Sequence, residues 1–243
     1  MNSSAWWHQI RLLLKRRRHS ALLTAIIALI LVRAVIGDSV AAPLLFSCAL
    51  LLLVPVALYA IQVDELAGDR DALLVEKRRR TIAGWTLAIA ATLERVMVSI
   101  APSHTLYVTG AFCYLIFYCY ITFELLRSVV RQREVTGETI SMSVSVYLLI
   151  GLSWGFLYIL IYDRHPQAFS FVGSTTPLSE HNIFPTLIYF SLTTLSTIGF
   201  GDITPVMIQA RYAAVAEGIT GQFYLAILVA RLVGMQMSQS QSR

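Results

Sequence analysis

The sequence predicts an all-α, polytopic membrane protein with six transmembrane helices, a short re-entrant helix and an extended segment after it. Of the 243 residues, 56% are hydrophobic and only 14% are charged, whereas charged residues make up about a quarter of a typical soluble domain. Several apolar runs approach or exceed the roughly 18–20 residues that cross a bilayer core of about 30 Å. The six predicted spans are residues 21–37, 40–63, 82–101, 105–126, 140–162 and 206–235.

Short turns pair the first four spans into two hairpins. Residues 37–39 (Gly-Asp-Ser) separate the first two spans, and residues 101–105 (APSHT) separate the third and fourth. This pattern predicts three regions of the chain. They are a basic N-terminal tail at 1–20, a four-helix membrane region at 21–135 and a second membrane region at 136–243.

Between the last two spans lies a shorter apolar segment at about 184–195. The run "IFPTLIYFSLTTL" (183–195) is too short to span at about 1.5 Å per residue, so it predicts a re-entrant helix. Pro185 suits the first turn of that helix, and the negative end of its dipole favours a cation at its C-terminus. The chain then returns through "STIGFGD" (196–202). A bilayer tolerates such non-helical backbone only where protein buries it or it lines a water-filled path.

Basic residues predict the orientation. The N-terminal tail and the 64–81 loop each carry five Lys or Arg residues, and the 127–139 connection carries three. The 163–183 segment carries only Arg164. Because basic loops stay in the cytoplasm, both termini are predicted to be cytoplasmic and residues 163–205 to face outward. The plasma membrane, here a bacterial inner membrane, is the predicted location because no cleavable signal peptide is evident.

The net charge of +5 lies mainly at helix ends, so we expect no nucleic-acid partner. The sequence "KRRR" occurs at 15–18 and again at 77–80. A duplicated hairpin would explain the repeat, but the cytoplasmic anchor that every helix pair needs is the favoured explanation. Each basic residue near the surface adds about 1 kcal/mol of attraction to anionic lipid headgroups, so membrane lipids are expected partners of both clusters.

No catalytic constellation is visible in the sequence, so the chain is not expected to be an enzyme or to bind an organic cofactor. Cys48, Cys113 and Cys119 lie inside apolar runs without metal-ligand spacing and are interpreted as apolar residues. Gly199 and Gly201 form a G-x-G, but Thr204 stands where a dinucleotide loop needs a third glycine. The glycines therefore serve a different chemistry.

A chemistry that fits these residues is the dehydration of a monovalent cation. Stripping water from such an ion requires a close set of replacement oxygens, and backbone carbonyls supply them if successive residues point them inward. Glycine reaches the required left-handed angles at little steric cost. The candidate ion-binding residues are Thr197, Ile198, Gly199, Phe200 and Gly201. Ile198 and Phe200 are expected to pack outward, and the Thr197 hydroxyl to add an oxygen at the inner end.

The stretch "STIGFGD" resembles the selectivity filter of the tetrameric potassium channel superfamily, which commonly reads T-V-G-Y-G-D. Ile198 replaces the usual valine and Phe200 the usual tyrosine. The resemblance covers about 183–235 and is only architectural upstream. It implies a pore domain at 136–243, K⁺ ions in the filter, a homotetramer, and passive, K⁺-selective conduction.

The resemblance also implies residues that support the filter. Tyr189 and Phe190 occupy the positions of an aromatic cuff on the pore helix, Thr193 opens the filter stretch, and Asp202 lies just outside it. In the family this aspartate hydrogen-bonds the cuff, so the Tyr189 hydroxyl is the expected partner. The alternative for Asp202 is a helix-entry residue near Pro205.

The last span resembles the pore-lining inner helix. Gly221 lies where the family places its hinge glycine, but Gly221 and Gly218 could equally permit close helix packing, and both roles stay open. Glu217 lies within this span and is interpreted as a buried carboxylate behind the filter, hydrogen-bonded or paired, rather than as a cavity charge. Taking helical spacing from Gly221, the residues expected to face the cavity are Gln222, Leu225, Val229 and Val233. The lower apolar positions of this stripe are expected to close as a dewetting gate.

Span four predicts that voltage gating is absent. A voltage sensor carries arginine at every third position of its fourth helix, and "LYVTGAFCYLIFYCYITFELL" contains none. After the inner helix only "GMQMSQSQSR" follows, so no fused ligand-binding domain is expected.

Three other functions remain for comparison. A potassium-uptake transporter subunit usually carries four pore-like repeats in one chain, and this chain shows one. A receptor or regulatory subunit could retain the filter without conducting, although the intact "TIGFG" argues against it. A cation channel without K⁺ preference is the nearest alternative, because selectivity depends on geometry as well as sequence.

Overall fold

The computed structural model describes residues 18–37, 42–64, 82, 84–90, 92–93, 97, 103–132, 134–172 and 180–241. These residues are mainly helical, as the sequence predicts, and include two short strands. The helices are α1 (Arg18–Ile36), α2 (Ala42–Asp64), α3 (His104–Arg131), α4 (Gly137–Arg164), α5 (Glu180–Leu195) and α6 (Ile208–Gln241), and the strands are β1 (Phe169–Phe171) and β2 (Ile203–Pro205).

Three helices in the described part of the chain are long and apolar enough to cross a membrane: His104–Arg131, Gly137–Arg164 and Ile208–Ser238. They correspond to the predicted spans at 105–126, 140–162 and 206–235. Two shorter apolar helical stretches, Arg18–Val32 and Cys48–Ala60, overlap the first two predicted spans. Most of the predicted span at 82–101 lies outside the described residues, although 84–90 are helical.

The predicted start of the re-entrant helix is wrong. Helix α5 begins at Glu180, about four residues before the predicted start at 184, and Pro185 therefore lies inside it rather than in its first turn. The polar residues 180–182 extend the helix beyond its apolar run. Because proline has no N–H, the only intrahelical bond it removes is one near the helix start.

The chain divides into two compact units, each taking part of α3 and of α4. The first unit comprises Met1–Thr86 and Phe123–Val146. Its buried residues recur at helical spacing and so share one face of each helix, while other apolar residues of α1 and α2 are exposed. The fully buried residues of α1 and α2 include Leu22, Ile26, Leu50, Leu53 and Ala57. The predicted division at 1–20, 21–135 and 136–243 stays a prediction.

A polar contact within the first unit joins the start of α1 to the start of α4. Glu138 accepts hydrogen bonds from the backbone N–H of His19 at 3.0 Å and from the Ser20 hydroxyl. The first N–H groups of a helix have no intrahelical partner, so this carboxylate caps α1 from outside the helix.

The second unit comprises Leu87–Thr122 and Tyr147–Arg243 and contains α5, both strands and α6. Aromatic rings form much of its core. Phe156 of α4 stacks on Tyr114 and Tyr118 of α3, with ring centroids 5.3 and 5.4 Å apart, and meets Phe184 of α5 edge-on. This cluster holds α5 against α3 and α4.

Two glycines on α4 allow α5 to approach closely. A Cβ added at Gly155 would lie 3.1 Å from the Ile188 Cα, and one added at Gly151 would lie 2.8 Å from the Leu192 Cδ2. The two glycines are four residues apart and form a G-x-x-x-G stripe, the spacing that lets membrane helices pack closely.

The strands β1 and β2 form an antiparallel pair, in which Phe169 lies opposite Pro205 and Phe171 opposite Ile203. The backbone N–H of Val206 extends the pairing by donating to the Ala168 carbonyl at 2.8 Å. The ribbon therefore ties the chain after the 196–202 segment to the chain that follows α4.

Candidate functional site

The backbone of the 197–201 segment alternates in conformation as the sequence predicts. The φ angle is positive at Thr197 (58°), Gly199 (53°) and Gly201 (79°), and Ile198 and Phe200 between them have no positive φ. Alternating the sign of φ turns successive peptide planes so that their carbonyls lie along one side of the chain. Two of the three left-handed residues are glycine, which pays no steric penalty there.

The C-terminus of α5 holds this segment in place. The Thr193 carbonyl accepts hydrogen bonds from the N–H groups of Ile198 at 2.9 Å and Gly199 at 3.2 Å. The Thr194 carbonyl accepts one from Thr197 at 3.0 Å. The last carbonyls of a helix have no intrahelical partner, so they are available to bind the returning chain. The segment therefore presents its N–H groups to the helix and leaves its own carbonyls available.

At the outer end of the segment the predicted contact between Tyr189 and Asp202 is present. The Tyr189 hydroxyl donates to Asp202 Oδ2 at 2.9 Å. The Tyr189 ring also stacks on Phe200, with centroids 6.4 Å apart and planes 1° from parallel. The Asp202 carbonyl accepts from the Val172 N–H at 2.9 Å. Asp202 thus connects α5 to the β1 side of the ribbon.

Phe190 does not share the surroundings of Tyr189. Its ring is buried and meets Tyr158 and Phe169 edge-on, with centroids 5.0 and 5.3 Å apart. Successive helical residues point about 100° apart, so these neighbours face different sides of α5. Phe190 packs into the core of the unit, and only Tyr189 of the expected pair contacts the 197–202 segment through a bond or ring contact.

Replacing Tyr189 with phenylalanine is expected to weaken the outer end of the segment. The change removes the hydrogen bond to Asp202, which contributes about 0.5–1.5 kcal/mol, and leaves the ring stacked on Phe200. We expect a shorter mean open time in single-channel recordings and a lower unfolding temperature. Tyr212→Phe is the control, because Tyr212 is 71% exposed. Equal behaviour of the two variants would contradict a supporting role for the Tyr189 hydroxyl.

At the inner end, the Leu195 carbonyl lies between α4 and α6. Tyr147 of α4 donates to this oxygen at 3.0 Å and stacks on Tyr224 of α6. A Cβ added at Gly221 would lie only 2.5 Å from the same oxygen. Of the two roles left open for Gly221, this contact supports close packing. An added Cβ at Gly218 would have no atom within 4 Å. Of these two glycines, therefore, only Gly221 is required for close packing in the chain.

The remaining residues of the predicted cavity stripe behave differently from Gly221. Gly221 is buried, whereas the others are exposed in the single chain. Gly221 therefore lies on the face of α6 that packs against α5, and the open stripe does not include it. The exposed members are Gln222, Leu225, Val229 and Val233.

Glu217 is buried and hydrogen-bonded, as the sequence predicts. It lies one turn before Gly221 on the packed face of α6, with 0% of its surface exposed. Tyr158 of α4 donates to its Oε2 at 2.6 Å, and its Oε1 is hydrogen-bonded to Ser191 of α5. Sequence reasoning missed both partners. The only local signal was the presence of hydroxyl side chains within otherwise apolar helices.

The candidate ion ligands are the carbonyls of residues 197–200. In the part of the chain that the structure describes, no cluster of three or more His, Cys, Asp or Glu side chains could hold a metal ion. Residues 197–201 instead combine three positive φ angles with backbone carbonyls that lie outside helices and strands.

Comparison with known proteins gives a match to an ion channel family in the same part of the chain. Residues 146–237 match a family model described as "Ion channel", a stretch that includes most of α4, all of α5 and nearly all of α6. Two similar proteins are both called Protein LctB. The one from Bacillus caldotenax is 25% identical over 96 residues, which cover 40% of this chain and 71% of that protein. The one from Geobacillus stearothermophilus is 26% identical over 106 residues, covering 44% and 78%. No solved structure matches.

The family match and the long apolar helices support the ion channel class for this chain. They support passive ion conduction in a membrane and a transport protein rather than an enzyme. Channels of this type are usually oligomeric.

Proposed function

We propose that this chain is one subunit of a homotetrameric, K⁺-selective channel whose filter is formed by residues 197–201. The observation that carries the proposal is the alternating φ of Thr197, Gly199 and Gly201, in a segment held by its N–H groups to the end of α5. In this arrangement the carbonyls of residues 197–200 replace the hydration shell of K⁺. Ions enter dehydrated sites in succession and advance by mutual repulsion.

The tetramer comes from the resemblance to the potassium channel superfamily, and what one chain lacks is consistent with it. A single chain supplies one strip of carbonyls, and an ion held by carbonyls needs them from several sides. The inner helix also exposes apolar side chains in the single chain, including Ile219 (51%), Phe223 (65%) and Ile227 (66%). Lipid and neighbouring subunits would cover such a surface.

The six-span arrangement extends the same proposal to the whole chain. In addition to the three long apolar helices, residues 21–37, 40–63 and 82–101 cross the membrane. Both termini then face the cytoplasm. Residues 163–205 then face outward, placing the Tyr189–Asp202 pair at the external mouth. The basic clusters at 15–18 and 77–80 bind anionic lipid headgroups. Apart from Arg18, both clusters lie outside the described residues.

The reversal potential tests this proposal. Purified protein is placed in a planar bilayer with K⁺ on one side and Na⁺ on the other, and the current is recorded as a function of voltage. We expect reversal close to the K⁺ equilibrium potential. Clear current that reverses near zero would reject K⁺ selectivity and favour a non-selective cation channel. Absence of current across voltage, pH and lipid composition would favour a receptor or regulatory subunit.

A further inference from the structure

The buried carboxyl of Glu217 lies at the centre of a four-member cluster that joins three helices. The cluster comprises Tyr158 and the Gly151 carbonyl of α4, Ser191 of α5 and Glu217 of α6, and it is called the Glu217 cluster below. Tyr158 Oη lies 2.6 Å from Glu217 Oε2. Ser191 Oγ contacts both Glu217 Oε1 and the Gly151 carbonyl oxygen, the latter at 2.6 Å.

Counting hydrogens decides the form of Glu217 that fits these contacts. The Ser191 hydroxyl carries one hydrogen, and the Gly151 carbonyl carries none. Ser191 Oγ nevertheless makes two short contacts, and each needs a hydrogen between its two oxygens. If Ser191 donates to Gly151, the hydrogen between Ser191 and Glu217 must come from the carboxyl. An ionised carboxylate has no hydrogen to donate. One of the two Ser191 contacts would then bring two oxygens together with no hydrogen between them.

The surroundings of Glu217 also favour a neutral acid. An isolated buried charge is costly unless it is paired. The bonded partners of Glu217 are two hydroxyls, from Tyr158 and Ser191. Glu217 also acts electrostatically on a second tyrosine of α4, Tyr147. Helix α5 contains no Lys or Arg, and the only one in α4 is its last residue, Arg164.

We propose that Glu217 is held as the neutral carboxylic acid and acts as a positioning residue for the pore helix. The hydroxyl hydrogens run in one direction, from Tyr158 to Glu217, from Glu217 to Ser191, and from Ser191 to the Gly151 carbonyl. Every donor and acceptor in the Glu217 cluster is then satisfied. Loss of the carboxyl proton removes one link and leaves Ser191 between two acceptors.

The position of Ser191 connects this cluster to the conducting segment. Ser191 lies two residues before Thr193, whose carbonyl accepts the N–H groups of Ile198 and Gly199. A shift of α5 at Ser191 therefore moves the acceptor that holds those two residues. This consequence for conduction rests on the proposed function, whereas the protonation of Glu217 does not.

Infrared spectroscopy of the reconstituted full-length protein tests the protonation directly. A neutral carboxyl has a C=O stretching band that an ionised one lacks, and the band moves to lower frequency in D₂O. We expect wild-type protein at neutral pH to show such a band and Glu217→Gln to lose it. Tyr158→Phe removes the hydrogen bond to Oε2 and is expected to move the band to higher frequency, with Tyr212→Phe leaving it unchanged.

These spectra have outcomes that overturn the proposal. A difference spectrum between wild type and Glu217→Gln without a carboxylic acid band would show that Glu217 is ionised. A band that Tyr158→Phe leaves in place would show that the carboxyl is not bonded as described. If Glu217→Gln does not fold, the spectrum of Tyr158→Phe is compared with that of the wild-type protein. A shifted carboxylic acid band still supports the neutral acid, and an unshifted or absent band still rejects it.

Stability and conduction then test the positioning role. Glutamine keeps a donor for Ser191 and an acceptor for Tyr158, so Glu217→Gln is expected to unfold near the wild-type temperature and to conduct. Glu217→Ala loses both bonds and is expected to unfold at a lower temperature. Equal loss in both variants would reject the neutral-acid role. If wild type itself passes no current, the proposed function fails while the infrared result stands separately.

Discussion

Replacing Gly221 with alanine is expected to lower the free energy of unfolding by about 1–3 kcal/mol, the usual cost of overpacking. The added Cβ would lie 2.5 Å from the Leu195 carbonyl oxygen and 2.9 Å from the Leu195 Cδ1. A backbone oxygen at the end of α5 cannot rotate away as a side chain can. Either α6 or the Leu195 carbonyl must move. Movement of the carbonyl would break the hydrogen bond that it accepts from Tyr147. Thermal unfolding of the purified protein measures the loss.

Gly218→Ala is the matched control for this change. It lies on the same helix, three residues earlier, and an added Cβ there meets no atom within 4 Å. Alanine in a helix interior is more stable than glycine by about 0.5–1 kcal/mol, so Gly218→Ala is expected to be neutral or stabilising within the chain. If both variants unfold at the wild-type temperature, Gly221 is not a packing residue, and the hinge role returns.

Replacing Gly199 with alanine is expected to reduce K⁺ current at least tenfold while the protein remains folded. Its φ of 53° is left-handed, where an L-residue costs about 1–2 kcal/mol, and every subunit of the proposed tetramer would bear that cost. Space is not the obstacle, since an added Cβ meets no atom within 4 Å in the chain. An alanine that relaxes to negative φ rotates the neighbouring peptide planes, and their carbonyls leave the line that binds the ion.

Two measurements check this prediction. Bilayer current at equal protein density reports conduction, and a factor of ten corresponds to about 1.4 kcal/mol. Thermal unfolding in K⁺ against Na⁺ reports ion binding, because a ligand of the folded state raises its stability; the variant is expected to lose the difference. Gly137→Ala is the control, because Gly137 is exposed, has no positive φ and has no atom near an added Cβ. Wild-type current in Gly199→Ala would remove the 197–201 segment as the filter.

The alternating backbone of residues 197–201 could be predicted from sequence because conformation is a local property. Glycine at 199 and 201 permits positive φ at those residues, and their place after a short apolar helix predicted the carbonyl strip. The Tyr189–Asp202 bond could also be predicted, because the resemblance supplied the pairing. The start of α5 was less predictable, since polar residues before an apolar run do not mark where a helix begins.

The contacts around Glu217 could not be predicted in the same way. Its partners Tyr158 and Ser191 lie 59 and 26 residues away in sequence, and no spacing rule connects residues so far apart. The close approach of Gly155 to Ile188 had a visible signal, the G-x-x-x-G spacing, but the spacing does not name the helix that packs there.

The sequence by itself determined where the long helices lie and where Gly199 and Gly201 permit a left-handed backbone, because hydropathy and glycine placement act over a few residues. Only the tertiary structure decided which face of each helix is packed. It directed Phe190 into the core and Tyr189 toward Phe200, and it placed Gly221 against Leu195. In a soluble protein an apolar stripe marks the packed face. In a membrane, lipid is as apolar as the protein core, so hydropathy does not distinguish the packed face of a helix from its lipid-facing side. The fit between side chains determines which face is packed.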